Sequence, residues 1–91
     1  MVKQIKKSMR ISHSALDDDI QMNIETCALD LGVAGVYFDE DEPDNLIQKA
    51  FELYTKWQFD FMGKAEQFER AYKNLKDALA LCGDYNVRPE D

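Results

Sequence analysis

Two short stretches of this chain carry the residue types that acid–base or metal chemistry needs. "SHSALDDDI", residues 12–20, holds the only histidine, His13, and three consecutive aspartates, Asp17, Asp18 and Asp19. "DEDEPD", residues 39–44, holds five acids, Asp39, Glu40, Asp41, Glu42 and Asp44, and no base. Magnesium or calcium needs several oxygens converging on one point. Consecutive helical residues point about 100° apart, so three adjacent aspartates at a helix start diverge. Ser14 as the cap and Asp17 three residues on make a variant capping box, with Asp where Glu or Gln is usual. Asp18 and Asp19 then stand in the first turn, where the dipole favours negative charge. His13 precedes the helix, shares no face with the aspartates and has no assigned role. The second stretch lacks the EF-hand's register, central glycine and terminal glutamate, so it reads as a solvated loop that charges the next helix start.

Nucleophilic chemistry finds no better footing. Cys27 and Cys82 are far apart, form no C-x-x-C, and fall on apolar stripes where a thiol acts as a small core group. Neither lies in an electropositive setting, and the single histidine has no triad partner in sequence. The four glycines mark helix ends and a connection rather than a phosphate loop. The expectation is a protein with no catalytic residue, no metal and no cofactor. Both thiols are expected to be free, in a reducing compartment.

The elements that must position any site are helical. Four stretches show helical periodicity and none shows sustained strand alternation. Val2, Ile5 and Met9 share one face of a short leading helix, and Lys3, Lys6, Lys7 and Arg10 form its basic face. Three apolar residues are too few to hold this segment at a membrane surface. A second helix is expected from Ser14 to Leu31, its core stripe formed by Leu16, Ile20, Ile24, Cys27 and Leu31, with Gly32 and Gly35 ending it. A third begins at Pro43, the first helical position, and runs to Gly63, with Leu46, Ala50, Leu53, Tyr54, Trp57 and Phe61 inward. A fourth runs from Lys64 to Cys82 on a seam of Ala65, Phe68, Tyr72, Leu75, Leu79 and Cys82. Glu66–Arg70 and Glu69–Lys73 pair on its wet face. Residues 84–91 read as an exposed tail. The fold class is therefore all-α: a small helical bundle of one short N-terminal helix and three longer ones. Its 91 residues amount to a single domain, with residues 1–13 as the basic leading helix and turn.

A net charge of −7 argues against wrapping nucleic acid, which needs clustered Lys and Arg. No apolar window reaches the roughly 20 residues of a membrane span, and the basic start is not followed by the apolar run of a signal peptide. Some apolar residues fall off the core stripes. Met22, Leu29 and Val33 lie opposite the main stripe of the second helix. Phe51 lies at the margin of the third helix's face, and Phe59 points away from it. A stripe of this kind on a small acidic domain is expected to pack against another chain.

The order of these segments resembles the small head–tail connector proteins of tailed bacteriophages and prophages, often labelled DNA-packaging proteins. The segments are "KKSMRIS", "ALDDDIQMNIETCALDLG", "NLIQKAFELYTKWQFDFMG" and "AEQFERAYKNLKDALALCG". Lys6, Arg10 and Ile11 match the family's leading segment, with Met9 where Leu is usual. Asp17, Asp18, Asp19 and Ile20 match its acidic helix start. Ile47, Gln48, Ala50 and Trp57 match its apolar helix. The likeness spans residues 3 to 82 through loose motifs, and the loop "YFDEDEPD" has no counterpart in it.

The resemblance implies a non-enzymatic virion protein at the head–tail interface, present in the host bacterial cytoplasm before assembly. It implies a homo-oligomeric ring beneath the portal that joins it to a tail-side adaptor or stopper, with DNA only as passing cargo. Two sticky surfaces are then needed, and Met22, Leu29 and Val33 on one side with Phe51 and Phe59 on the other are the candidates. Asp39, Glu40, Asp41, Glu42 and Asp44 are the candidate channel-facing acids, which would repel DNA phosphates. Two other readings stand beside this one. The chain could be a small cytosolic nucleic-acid-binding or regulatory protein using Lys3, Lys6, Lys7 and Arg10 on phosphates, or a helical adaptor that only dimerises.

Overall fold

A computed structural model describes residues 1–86 of the chain. The expected all-α bundle is what forms. Helix α1 spans Val2–Ser8, α2 Asp17–Val33, α3 Asn45–Gln58 and α4 Ala65–Leu81, with single 3₁₀ turns at Phe61–Gly63 and Gly83–Tyr85. Among the described residues there is no strand.

Helix α3 is the centre, packing against α1, α2 and α4. One apolar cluster draws on all four helices: Ile5 from α1, the whole Ile20, Ile24, Cys27, Leu31 stripe from α2, Ile47, Ala50, Phe51 and Leu53 from α3, and Tyr72 and Leu79 from α4. A fully buried side chain of this size contributes roughly 1.5–3 kcal/mol. The predicted α2 stripe is thus the core face, except that Leu16 stands at the cap position and only packs against its edge. On α4 only Tyr72 and Leu79 are fully buried, while Phe68 and Leu75 pack at the edge. That helix has one neighbour face, not two.

Being central, α3 buries an arc of roughly 200° at about 100° per residue, wider than the stripe of a surface helix. This explains two departures. Phe51, expected at the margin and offered as an interface residue, is 3% exposed and belongs to the core. Ile47 is fully buried, whereas Leu46, at the helix start where nothing covers it, is half-exposed.

The helix ends differ from expectation for identifiable reasons. Ser14 does not cap α2. Leu16 holds the cap position with no side-chain cap hydrogen bond, and Ser14 offers only its carbonyl, 3.2 Å from the Asp17 N–H. His13 finds a role here: its Nδ1 accepts the Ala15 N–H at 3.3 Å in the turn ahead of the helix. Asp17 does not close a capping box because Lys6 takes its carboxylate at 2.8 Å, tying α1 to α2. Pro43 does not open α3 either. Asp44 is the cap, its Oδ1 accepting the Ile47 N–H at 3.0 Å. Helix α3 stops at Gln58 rather than near Gly63, because Asp60 turns left-handed (φ 48°) and its Oδ1 accepts the Ala65 N–H at 3.1 Å. One residue thereby ends α3 and begins α4.

Two helices close with the same paired bonds. After α1, Ile11 N–H donates to Lys6 O at 2.9 Å and Arg10 N–H to Lys7 O at 3.2 Å, with Arg10 left-handed at φ 58°. After α2, Val36 N–H donates to Leu31 O at 2.9 Å and Gly35 N–H to Gly32 O at 3.0 Å, with Gly35 at φ 85°. This is the Schellman arrangement. Glycine occupies its left-handed position freely, whereas Arg10 bears a cost of roughly 1–2 kcal/mol there. The second instance drops Val36 into the core.

The connection between α2 and α3 therefore crosses the bundle rather than projecting from it. Phe38 packs edge-on against Phe51 with ring centroids 5.6 Å apart. Tyr37 N–H donates to Tyr85 O at 2.7 Å, and the Tyr85 hydroxyl donates to Asp44 Oδ2 at 2.6 Å. The start of the expected tail is thus docked through Asn86; its remainder, residues 87–91, lies outside the described residues.

Candidate interaction surfaces

The off-stripe residues of α2 are at the surface. Met22, Leu29 and Val33 are 65%, 73% and 90% exposed, and steps of seven and four place them on one face. Leu29 stands between two grooves. The first, an open cleft of about 900 Å³, runs between α2 and the 38–43 turn. Ile24, Ala28, Phe38 and Phe51 give it an apolar floor, and Glu25, Glu40, Asp41 and Glu42 rim it. Its lining contains no Lys or Arg.

The second groove, about 360 Å³, opens between α2, α3 and α4 and is lined by Leu29, Tyr54, Trp57, Tyr72, Lys73 and Lys76, with Thr26 and Asp30. Its aromatic wall is built edge to face: Tyr54 lies 5.5 Å from Trp57 and 5.2 Å from Tyr72, between centroids. Lys73 Nζ sits 5.7 Å from the Trp57 centroid and Lys76 Nζ 5.5 Å from that of Tyr72, within cation–π range.

Beneath this wall is a polar node. The Tyr72 hydroxyl donates to Asp30 Oδ2 at 2.6 Å, and Lys76 Nζ donates to the same oxygen at 3.1 Å. The Cys27 thiol donates to the Tyr72 oxygen at 3.6 Å. Burial pushes the Cys27 thiol up to about 12, and burial with the hydrogen bond to Asp30 raises Tyr72 as well. Burial opposes ionisation of Asp30, but the Tyr72 hydroxyl and Lys76 outweigh it and hold the carboxyl below its usual range. At neutral pH the node therefore presents a protonated thiol, a protonated phenol and an ionised carboxylate paired with Lys76. It braces α2 against α4 and holds no activated nucleophile.

The acidic stretch folds as a turn. Asp39 Oδ1 accepts the N–H groups of Asp41 at 2.9 Å and Glu42 at 3.4 Å. Asp44 is engaged by Ile47 N–H and Tyr85, which leaves Glu40, Asp41 and Glu42 as the exposed acids without such bonds. Among the described residues no group of His, Cys, Asp and Glu is arranged to hold a metal ion.

The four basic residues of the leading segment separate. Lys6 is committed to Asp17, while Lys3, Lys7 and Arg10 are exposed and make no ion pair among the described residues. Phe59 is half-buried and packs on the core margin, so it offers an edge rather than a free ring. Further exposed apolar residues, Met62 and Leu81, had no signal in the stripe pattern. Neither did Glu52, which accepts from the Ser8 hydroxyl at 2.5 Å and from Lys56 at 2.8 Å, because its partner in α1 lies 44 residues away in sequence. On α4, Glu69–Lys73 forms as expected at 2.8 Å, and Glu66–Arg70 is not among the ion pairs.

No helix among the described residues is long and apolar enough to cross a membrane. No curated protein and no solved structure shows significant similarity to the chain. One family model does match, over residues 1–86, and its description is "Phage connector protein".

Proposed function

The chain belongs to the phage connector protein family, and from that premise we propose that it is a non-enzymatic structural protein of the virion. In this reading it forms a ring beneath the portal, joins the portal to a tail-side adaptor or stopper, and leaves a channel for DNA. The observation that carries the reading furthest is the Met22, Leu29, Val33 face. Its three large exposed apolar side chains share one side of α2, with Glu25 and Thr26 between the first two, on a small acidic bundle; water does not favour them and a neighbouring chain would cover them. A closed ring needs two different surfaces on each subunit. The stripe supplies one. Phe51 drops out of the other because it is interior, leaving the Phe59 edge. Asp39, Glu40, Asp41 and Glu42 supply the negative charge that keeps DNA from adhering to a channel wall.

Negative-stain microscopy of the chain, alone at high concentration and mixed with its portal, tests the reading. Rings are expected in at least one condition, and their absence from both refutes it. Met22→Lys and Leu29→Lys should lower the assembled mass in light scattering with far-UV helicity unchanged. Parent mass in both variants removes the stripe from the interface. Neutralising residues 39–42 should alter DNA retention or ejection, and unchanged behaviour in both removes them from the channel.

A further inference from the structure

Among the charges without ion pairs in the described residues, two groups of opposite sign are each gathered on one surface. One is the rim of the larger groove, Glu25, Glu40, Asp41 and Glu42. The other is the outer face of α1 and its closing turn, Lys3, Lys7 and Arg10. We propose that the acid-rimmed groove between α2 and the 38–43 turn receives the basic outer face of α1 from a second copy of this chain. The inference rests on the ring reading, takes the α1 face in place of the Phe59 edge as its second surface, and turns Glu40, Asp41 and Glu42 toward the neighbouring subunit instead of the channel.

Three observations support this occupant. The groove lining has four acids against the single amino group of Met1 and no Lys or Arg, so an anionic or uncharged guest would leave most of its rim charge uncompensated. Its floor is apolar, and the methylene stems of Lys and Arg cover apolar surface while their charged ends reach the rim. The contact must also be between copies. Gln4 borders the groove of its own chain, and Lys3 and Lys7 lie about 100° and 60° around α1 from it, on the face turned away from the core. Lys3 and Lys7 line a different groove of their own chain, beside Asp17, and leave the acid rim to be met by the basic face of the next subunit. Such a contact is head to tail, the kind that closes into a ring. Leu29, at the groove edge, makes this surface continuous with the exposed α2 stripe.

Charge reversal tests it. In Lys7→Glu and in Glu42→Lys, like charges face each other across the contact. Each variant alone should lose about tenfold or more in association constant, measured by sedimentation velocity at low salt. An equimolar mixture of the two should recover the parent's assembly, because every junction then pairs opposite charges. The Lys7→Glu/Glu42→Lys double variant should recover it too. Raising salt should weaken the parent's association. Circular dichroism confirms that the variants fold. Single variants that assemble like the parent, or mixtures that fail to recover, overturn the assignment, as does a parent that does not self-associate at any concentration reached. The ring reading falls separately, only if the parent also fails to form rings with the portal.

Discussion

Replacing Tyr72 by Phe isolates the node that braces α2 to α4. The ring and its contacts with Tyr54 and Trp57 are retained; what is lost is one hydroxyl that donates to Asp30 at 2.6 Å and accepts from Cys27 at 3.6 Å. A hydrogen bond to a charged acceptor contributes roughly 1.5–3 kcal/mol. The Asp30 side chain is 39% exposed, so solvent screening brings the expectation to about 1–2 kcal/mol. For a domain of this size that is a fall of about 5–15 °C in Tm. The thiol keeps a second, longer contact to Ala50 O at 3.9 Å, so its own loss is small. The pH dependence has a definite sign. Asp30 is held below its ordinary 3.8 in the folded chain. Its contribution is therefore complete above that value and is lost as pH falls through the lower, folded one. Thermal melts of parent and Tyr72→Phe should differ fully at about pH 7 and converge as the solution is made acid enough to protonate Asp30, whose carboxyl titrates below its ordinary 3.8, because the protonated carboxyl makes a weaker, neutral bond. A variant that melts within the error of the parent at neutral pH, or a gap that does not narrow in acid, would refute the reasoning.

Other expectations follow from single residues. Arg10→Gly relieves a left-handed non-glycine position and should raise stability by about 0.5–1 kcal/mol in denaturant titration; a loss would mean that the arginine side chain is worth more than its strain. Asp44→Ala removes both the α3 cap and the Tyr85 tether and should cost about 1–2 kcal/mol, while Asp44→Asn keeps most of the cap, so equal losses in the two would argue against capping. In a brief alkylation at neutral pH read by mass spectrometry, Cys82 should be modified first and Cys27, fully buried, only on unfolding. Equal rates would contradict the placement of Cys27.

What was legible in the sequence was periodic. The α2 stripe from Ile20 to Leu31 and its exposed counterpart at Met22, Leu29 and Val33 lie where helical spacing put them. Periodicity fails where a helix is central. Phe51 read as marginal because a surface helix buries one face, and α3 buries more than half of its circumference. Ends were misplaced by residues acting across the fold rather than along it. Asp17 has the spacing of a capping box, but Lys6, eleven residues away, is the stronger partner. Asp44 looked like one more acid in a solvated run until the chain brought Tyr85 to it. The polar node was hidden for the same reason. Cys27, Asp30, Tyr72 and Lys76 each have an ordinary local explanation, and only the seating of both α2 and α4 on α3 brings them together.

The seven residues of α1 are too few to hold helical structure in water by themselves. They persist through Ile5 and Met9 in the core, the Lys6–Asp17 bridge and the Ser8–Glu52 bond. Helices α3 and α4, by contrast, are joined by a short turn and face each other along their length. The chain therefore contains two levels of resistance to opening: an αα-hairpin whose amides exchange only with global unfolding, and a leading segment that detaches at far lower cost. Isotope exchange should find α1 the least protected helix in the free subunit and much better protected once a neighbour covers its basic face.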